Sequence, residues 1–413
     1  MWRKKMTFMI GRRSLIVGAA TALTASALTR FSLPLPAYAG DVTSLPFANG
    51  ERPLSRYPGK RRLIRSTSRP PQLETPFAVF NEGVITPNDA FFVRYHLADV
   101  PLSIDPETYR VEVRGKIDQP LSLSVADLKS SFEPVEIVAV NQCSGNGWGF
   151  FAPRIAGGQL GNGAMGNARW RGVPLKAVLD EAGVQAGSRQ VTFNGLDEPV
   201  LPETPDFIKA LDIDHARDGE VMIAYAMNGE DLPWLNGYPV RLVVPGYYGT
   251  YWVKHLNEIT VIDSVYDGFF MKTAYRIPDN SCACTEPGQA PAVTVPINRL
   301  NVRSFITNLT DGTKVRARTG TLIKGVAFDC GYGITDVLLS ADGGQTWSET
   351  KLGLDLGRYS FREWHTVVRL PRGKHALAVR AINRIGQSQP MAPLWNPPGY
   401  MRNVVETVRV EAV

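Results

Sequence analysis

The chain has 413 residues, room for a leader and two core-bearing domains, and its 44% hydrophobic and 20% charged content is that of an ordinary globular protein, neither disordered nor membrane-embedded. Its net charge of +6 points to a polyanionic partner only until the charge is located, because residues 1–39 hold Arg3, Lys4, Lys5, Arg12, Arg13 and Arg30 and no acid, leaving 39 basic against 39 acidic residues in the remainder. A near-neutral body gives no electrostatic reason to expect nucleic acid.

Residues 1–39 read as an export signal. A basic segment ending in Gly11-Arg12-Arg13-Ser14 precedes a modest apolar run, Leu15 to Leu28, and Ala37-Tyr38-Ala39 offers a small-x-small cleavage site. The run is too short and too rich in Ala and Thr to span a bilayer comfortably, so a membrane-spanning protein is not expected. The paired arginines predict twin-arginine export, a bacterial route that carries folded proteins, and hence a periplasmic location.

Residues 40–85, rich in Pro, Arg and Ser and without periodicity, are expected to form an arm on the surface of the domain that begins near residue 86. Asn88 to His96 alternates like a strand, which would put Arg94 and His96 on one face. Tyr109 to Gly115 reads as another strand, and Ser124-Val125-Ala126-Asp127 opens a helix with Asp in the capping-box position. Val135 to Val140 reads as a strand leading into Asn141-Gln142-Cys143-Ser144-Gly145-Asn146. A cysteine on a loop of short side chains suits a metal or nucleophilic role, since a large partner can approach the sulfur; the competing reading is a small buried hydrophobe. A helix is expected to begin at Val173-Pro174-Leu175 and to end near Gly183, then a strand from Glu220 to Met227 closed by Asn228-Gly229, with further strands at Val240–Val244 and Trp252–Ile262. Strands and short helices mix without regular alternation, which predicts α+β.

Beyond Pro291 the texture becomes all β, with runs at Lys324–Phe328, Asp336–Ser340, His365–Leu370 and His375–Ala381 separated by turn signals such as Asp342-Gly343-Gly344. That pattern fits an immunoglobulin-like sandwich. The four cysteines are Cys143, Cys282, Cys284 and Cys330. An oxidising compartment allows one disulfide among the last three, for instance Cys330 with one of the close pair, while Cys282-Ala283-Cys284 also has the spacing of a redox or metal pair. No haem-attachment, ferredoxin, dinucleotide or phosphate-loop motif is present, so no haem or flavin is expected in this chain.

The segments Arg94-Tyr95-His96, Asn141 to Asn146, Gly163 to Leu175 and Gly237-Tyr238-Pro239-Val240-Arg241 resemble the sulfite oxidase family of molybdopterin enzymes, most of all its bacterial periplasmic sulfite dehydrogenases. Ser340-Ala341-Asp342-Gly343-Gly344-Gln345-Thr346-Trp347 and Leu394 to Tyr400 resemble that family's dimerisation domain. The resemblance runs in order from about residue 80 to 413. It implies a molybdopterin-binding catalytic domain at 86–290, of mixed α/β sulfite oxidase type, followed by an immunoglobulin-like dimerisation domain at 291–413, with a homodimer as the expected assembly. It also implies Cys143 as thiolate ligand of molybdenum, Arg94 and Tyr275 as catalytic residues at the substrate, and His96, Asn236, Arg241 and Lys254 as residues holding the pterin and its phosphate. Glycines near 157–166 would let backbone amides approach the cofactor.

The implied reaction is oxidation of sulfite to sulfate by oxygen transfer from a molybdenum oxo group, with electrons passed to a c-type cytochrome; the alternatives are another oxyanion, a sulfoxide or an organic sulfur compound as substrate, or an exported binding protein without catalysis. The chain departs from the family's pattern in four places. Trp148 stands where a second substrate arginine is usual, removing positive field from the expected anion site. Leu160 replaces a tryptophan, Asn236 a histidine, and Pro398 an arginine, with Arg402 close by.

Overall fold

The computed structural model describes residues 42–45, 47 and 50–413, so the export signal expected at 1–39 lies outside the described residues. The segment expected as a surface arm is instead folded in. Val42–Ser44, Glu51–Ser55, Leu63–Ser68 and Pro71–Glu74 form an antiparallel sheet completed by Val93–Arg94. Leu63 and Leu73 are buried within it against Val93 and Tyr95. The strands are short and interrupted by proline, which hides the period-2 signal that a longer strand shows. Of the strand expected across Asn88–His96, only Val93 and Arg94 pair, in register with Leu73 and Gln72.

Two further sheets carry the central part. One joins Lys209–Asp212, Gln190–Gly195, Leu256–Ile262, Val111–Gly115 and Leu121–Leu123, with a parallel pairing between Leu256–Ile262 and Val111–Gly115. The other joins Glu230–Asp231, Met222–Met227, Met165–Pro174 and Val135–Gln142, with Arg241–Val243 pairing on Met222–Met227. Local chemistry sets the boundaries as the sequence indicates. Ser124 and Asp127 exchange hydrogen bonds in a capping box before the helix Val125–Ser131. The helix Leu175–Ala182 buries Leu175, Val178, Leu179 and Ala182, one face at helical spacing, and ends at Gly183, where φ is +70°. Asn228 and Gly229, both at positive φ, turn the hairpin into Glu230–Asp231.

The C-terminal sandwich has one sheet of Arg303–Ile306, Gly320–Phe328, Arg362–Arg369 and Lys351–Leu352, and another of Thr313–Val315, Glu406–Ala412, Gly373–Asn383, Ile334–Ser340 and Ser348–Glu349. Its own core includes Val302, Ile323, Trp364, Leu377 and Val379. It does not hang on a linker. Phe305, Phe328 and Phe361 belong to the main core, where Phe77 meets Phe305 at 5.5 Å and Phe80 meets Phe361 at 6.0 Å between ring centroids.

Cysteine pairing differs from the example expected from sequence: Cys282 is bonded to Cys284, whereas Cys330 is a free, buried thiol. Cys330 is packed into the main core. Among the described residues no helix is long and apolar enough to cross a membrane.

Candidate active site

The cysteine loop is set by a sheet ladder. Val135–Gln142 pairs with Met165–Pro174 from Val135 opposite Gly172 to Gln142 opposite Met165. Cys143 is thus the first residue past the ladder, and its amide donates to the Ala164 carbonyl at 2.9 Å. Asn146 closes the neck: its Nδ2 donates to Gln142 Oε1 at 3.2 Å, and its Oδ1 accepts from the Ala164 amide at 3.0 Å. Behind the loop lies Arg303, a fully buried residue of the sandwich. Its guanidinium donates to Gln142 Oε1 (3.2 Å), the Asn146 carbonyl (3.3 Å), Asn162 Oδ1 (3.1 Å) and Glu406 Oε1 (3.1 Å). A planar fork is suited to such a fan of acceptors, where an ammonium would not be.

Arg94, His96, Cys143, Asn236, Arg241, Lys254 and Tyr275, far apart in sequence, all line one cleft. Phe91, Phe92, Phe207 and Trp252 give it an apolar wall, and no carboxylate among the described residues lines it. Each polar residue is fixed from behind. Lys254 Nζ donates to the Arg94 carbonyl at 2.7 Å and lies 4.1 Å from the centroid of the Tyr95 ring. Arg241 donates to the carbonyls of Asn236 and Trp252, both at 2.9 Å, with its guanidinium 5.1 Å from the Trp170 ring and 5.7 Å from that of Trp252. Asn236 donates to the Phe92 carbonyl at 2.9 Å and accepts from buried Lys60 at 2.5 Å. His96 lies flat on Phe207, with centroids 3.6 Å apart, and its Nε2 is hydrogen-bonded to the Tyr275 hydroxyl. Tyr275 has φ of +58°, a strained conformation for a bulky residue, and its ring lies parallel to Tyr400 at 5.2 Å.

Burial governs the titration of these groups. It brings Lys254 down to about 7 and Arg241 to about 9. His96 is held well below its ordinary value by burial and by the charges of Arg94, Lys254 and Lys209, so its ring is neutral. Burial raises Tyr275 to about 12, keeping its proton on the hydroxyl. The Cys143 thiol is pushed up by burial, against the opposing pull of Arg94.

Three residues near the site carried no signal that sequence reasoning used for it. Lys209, fully buried, donates to the Phe270 carbonyl at 2.6 Å and sits 5.4 Å from the Tyr275 ring, yet in sequence it looks like an ordinary exposed strand charge. Lys60 belongs to the segment read as an arm. Tyr400 falls in the Leu394–Tyr400 segment, whose resemblance pointed to dimerisation.

Trp148 is placed differently from the expectation. It does not line the cleft; it is buried behind Tyr400, 5.8 Å away, with its indole donating to the Pro398 carbonyl at 2.9 Å. Gly145, Gly157 and Gly399 leave room for its ring, since a Cβ on any of them would come within 3.2 Å of it. The glycines near 157–166 accordingly serve packing: Gly163 abuts the Thr75 carbonyl and Gly166 the Phe91 ring, and none of them lines the cleft.

Residues 96–270 match the oxidoreductase molybdopterin binding domain, and residues 294–412 match the Mo-co oxidoreductase dimerisation domain. The chain is 33% identical to the mitochondrial sulfite oxidase of Rattus norvegicus over 380 residues, covering 87% of this chain and 68% of that protein. It is 34% identical to the human enzyme over 363 residues, covering 84% of this chain and 65% of that protein, so it spans about two thirds of these relatives. A nitrate reductase of Hordeum vulgare is 30% identical over 84% of this chain and 42% of its own length. In fold, the chain matches the sulfane dehydrogenase SoxCD of Paracoccus pantotrophus with a TM-score of 0.71, covering 94% of this chain and 92% of that one at 24% identity.

The cleft suits the cofactor these families share. Arg94 Nε, Arg241 Nε and Ser144 Oγ are buried there without a partner among the described residues. Unpaired buried donors cost about 1–3 kcal/mol each, a cost that an anionic ligand removes. A thiol and three basic side chains, Cys143 with Arg94, Arg241 and Lys254, line the same cleft, and soft sulfur with cationic donors is the chemistry a molybdenum pterin requires. The chain belongs to the sulfite oxidase family, a family of oxidoreductases that use a molybdenum-molybdopterin cofactor.

Proposed function

We propose that the protein oxidises sulfite to sulfate, taking an oxygen atom from water and releasing two protons and two electrons, and that a c-type cytochrome accepts the electrons one at a time. The observation that carries this reading is the cleft itself: a thiol, Cys143, facing Arg94, Arg241 and Lys254 with no acid between them. When bound, the cofactor supplies oxygen-atom transfer and two-electron chemistry. Cys143 would hold the metal, losing its proton on doing so. His96, Asn236, Arg241 and Lys254 would hold the pterin and its phosphate.

Arg94 would bind and orient the substrate anion through charge-assisted hydrogen bonds. Tyr275, neutral and hydrogen-bonded to His96, would place its hydroxyl toward the developing oxyanion. Phe207 lies flat on the His96 ring and Phe270 meets it edge-on, giving the ring an apolar backing. The C-terminal sandwich would form a homodimer, and the twin-arginine leader would deliver the folded protein to the periplasm.

A second reading is a substrate of lower charge, such as an organic sulfur compound. It is favoured by the cleft's lining, where among the described residues the arginines are Arg94 and Arg241 alone and Arg241 is tied to the carbonyls of Asn236 and Trp252. Steady-state reduction of ferricyanide or cytochrome c by the molybdenum-loaded protein decides between them. Sulfite-dependent turnover that falls about 10²-fold in kcat/KM in Arg94→Met is expected; turnover with organic sulfur compounds and none with sulfite favours the second reading.

A further inference from the structure

The exposed Cys282–Cys284 bond has no part in the molybdenum site. It lies in the loop joining the paired strands Arg276–Pro278 and Thr294–Pro296, which begin one residue after Tyr275. As a staple it does little, because the entropy a disulfide removes from the unfolded chain shrinks with the loop it closes, and this one spans a sequence separation of 2. The loop is held without it: the Thr285 amide donates to the Trp395 carbonyl at 2.8 Å, Trp395 Nε1 donates to the Pro153 carbonyl at 3.0 Å, and Asn280 Nδ2 donates to the Cys284 carbonyl at 2.8 Å.

Two features favour the open form. Ala283, between the two sulfurs, has φ of +49°, a left-handed conformation disfavoured for a non-glycine residue, which an open ring is free to leave. Asn280 Oδ1 sits 3.3 Å from Cys282 Sγ. A disulfide sulfur has no proton to give it, whereas a thiol does. Cys282 is exposed and Cys284 half-buried, so the first sulfur is open to attack and the second is the leaving group. Exposed or strained disulfides are the labile ones.

We propose that Cys282–Cys284 is a thiol–disulfide exchange site for an external thiolate. The thiolate attacks Cys282 Sγ, the Cys282–Cys284 bond breaks, and Cys284 leaves as a thiolate that takes a proton from solvent. A second thiolate attacks the external sulfur of the mixed disulfide and releases Cys282. Two thiolates are thereby oxidised to one disulfide and the protein pair is reduced by two electrons.

The test uses the cofactor-loaded protein in glutathione buffers of graded reduced-to-oxidised ratio, quenched with N-ethylmaleimide and weighed intact and after digestion. The expected result is a gain of two maleimides per chain, on Cys282 and Cys284, while the cooperative thermal transition persists and Cys143 and Cys330 stay unmodified. In Cys284→Ser, Cys282 should form a glutathione adduct roughly tenfold faster than Cys284 does in Cys282→Ser, as their exposures require. A bond that persists in fully reduced glutathione, or that opens only when the whole chain unfolds, overturns the proposal.

Discussion

Glu74 and Lys60, both buried in the N-terminal sheet region, give the protein opposite responses to pH. Burial raises the Glu74 carboxyl to about 7 from 4.5, even though the Gly163 amide donates to it, so the folded state keeps a proton that the unfolded chain releases. Its contribution to stability is complete below about 4.5 and is lost as pH rises through about 7. Lys60 is lowered to about 7 from 10.5 by burial, so the folded state binds fewer protons and stability rises with pH across that interval. Chemical denaturation at graded pH should show Glu74→Gln flattening the decline between 4.5 and 7, and Lys60→Met removing the rise between 7 and 10.5.

Trp148→Arg, read from sequence alone, would restore positive field at the anion. In the structure that side chain enters a slot walled by glycines and Tyr400, so the substitution should destabilise the fold by about 3 kcal/mol and leave the KM for sulfite unchanged. Denaturant midpoints and initial rates on the same preparation check both parts. That the seven site residues would share a cleft was legible from a family resemblance; what a side chain such as Trp148 touches was not, because a loop's path is set by neighbours remote in sequence, here Pro398 and Tyr400.

Among elements, the segment after Trp395 packs against Tyr275, a residue of the cleft's lining. Tyr400 lies parallel to Tyr275 and holds a side chain whose backbone is strained. Removing that support should let Tyr275 relax away from His96. Tyr400→Ala is expected to raise the KM for sulfite about tenfold, equivalent to about 1.4 kcal/mol, with a smaller change in kcat, and Tyr400→Phe should restore it. Equal losses in Ala and Phe variants would assign the effect to the hydroxyl and sink the stacking argument. Longer elements were readable from the sequence: the capping box at Ser124, the helix Leu175–Ala182 and the Asn228-Gly229 hairpin each carry their own local determinants. Glu51–Ser55 and Pro71–Glu74 were not, since strands of four or five residues with proline in them show no period.

At the level of the whole molecule, the two parts that differ in sequence texture share one core. Phe305, Phe328 and Phe361 from the sandwich pack with Phe77 and Phe80, and Arg303 anchors the cysteine loop from the same side. A chain cut after Pro296 loses those rings and Arg303, and is expected to be insoluble or molten, with no cooperative transition by calorimetry. A sandwich serving association alone would leave the truncated protein folded and monomeric. Composition marks where the texture changes, but it does not mark that aromatic residues on either side of the change face each other.

The hydrogen bonds of Arg303 have a consequence for biosynthesis. The cysteine loop spans residues 143–164, but its guanidinium anchor and the acid that pairs with that anchor, Glu406, emerge from the ribosome more than a hundred residues later. Until that stretch has been translated, a nascent chain holds Cys143 on an unanchored loop beside an unfinished wall. Cofactor insertion is therefore expected to follow translation, and only molecules whose sandwich has folded can retain the metal.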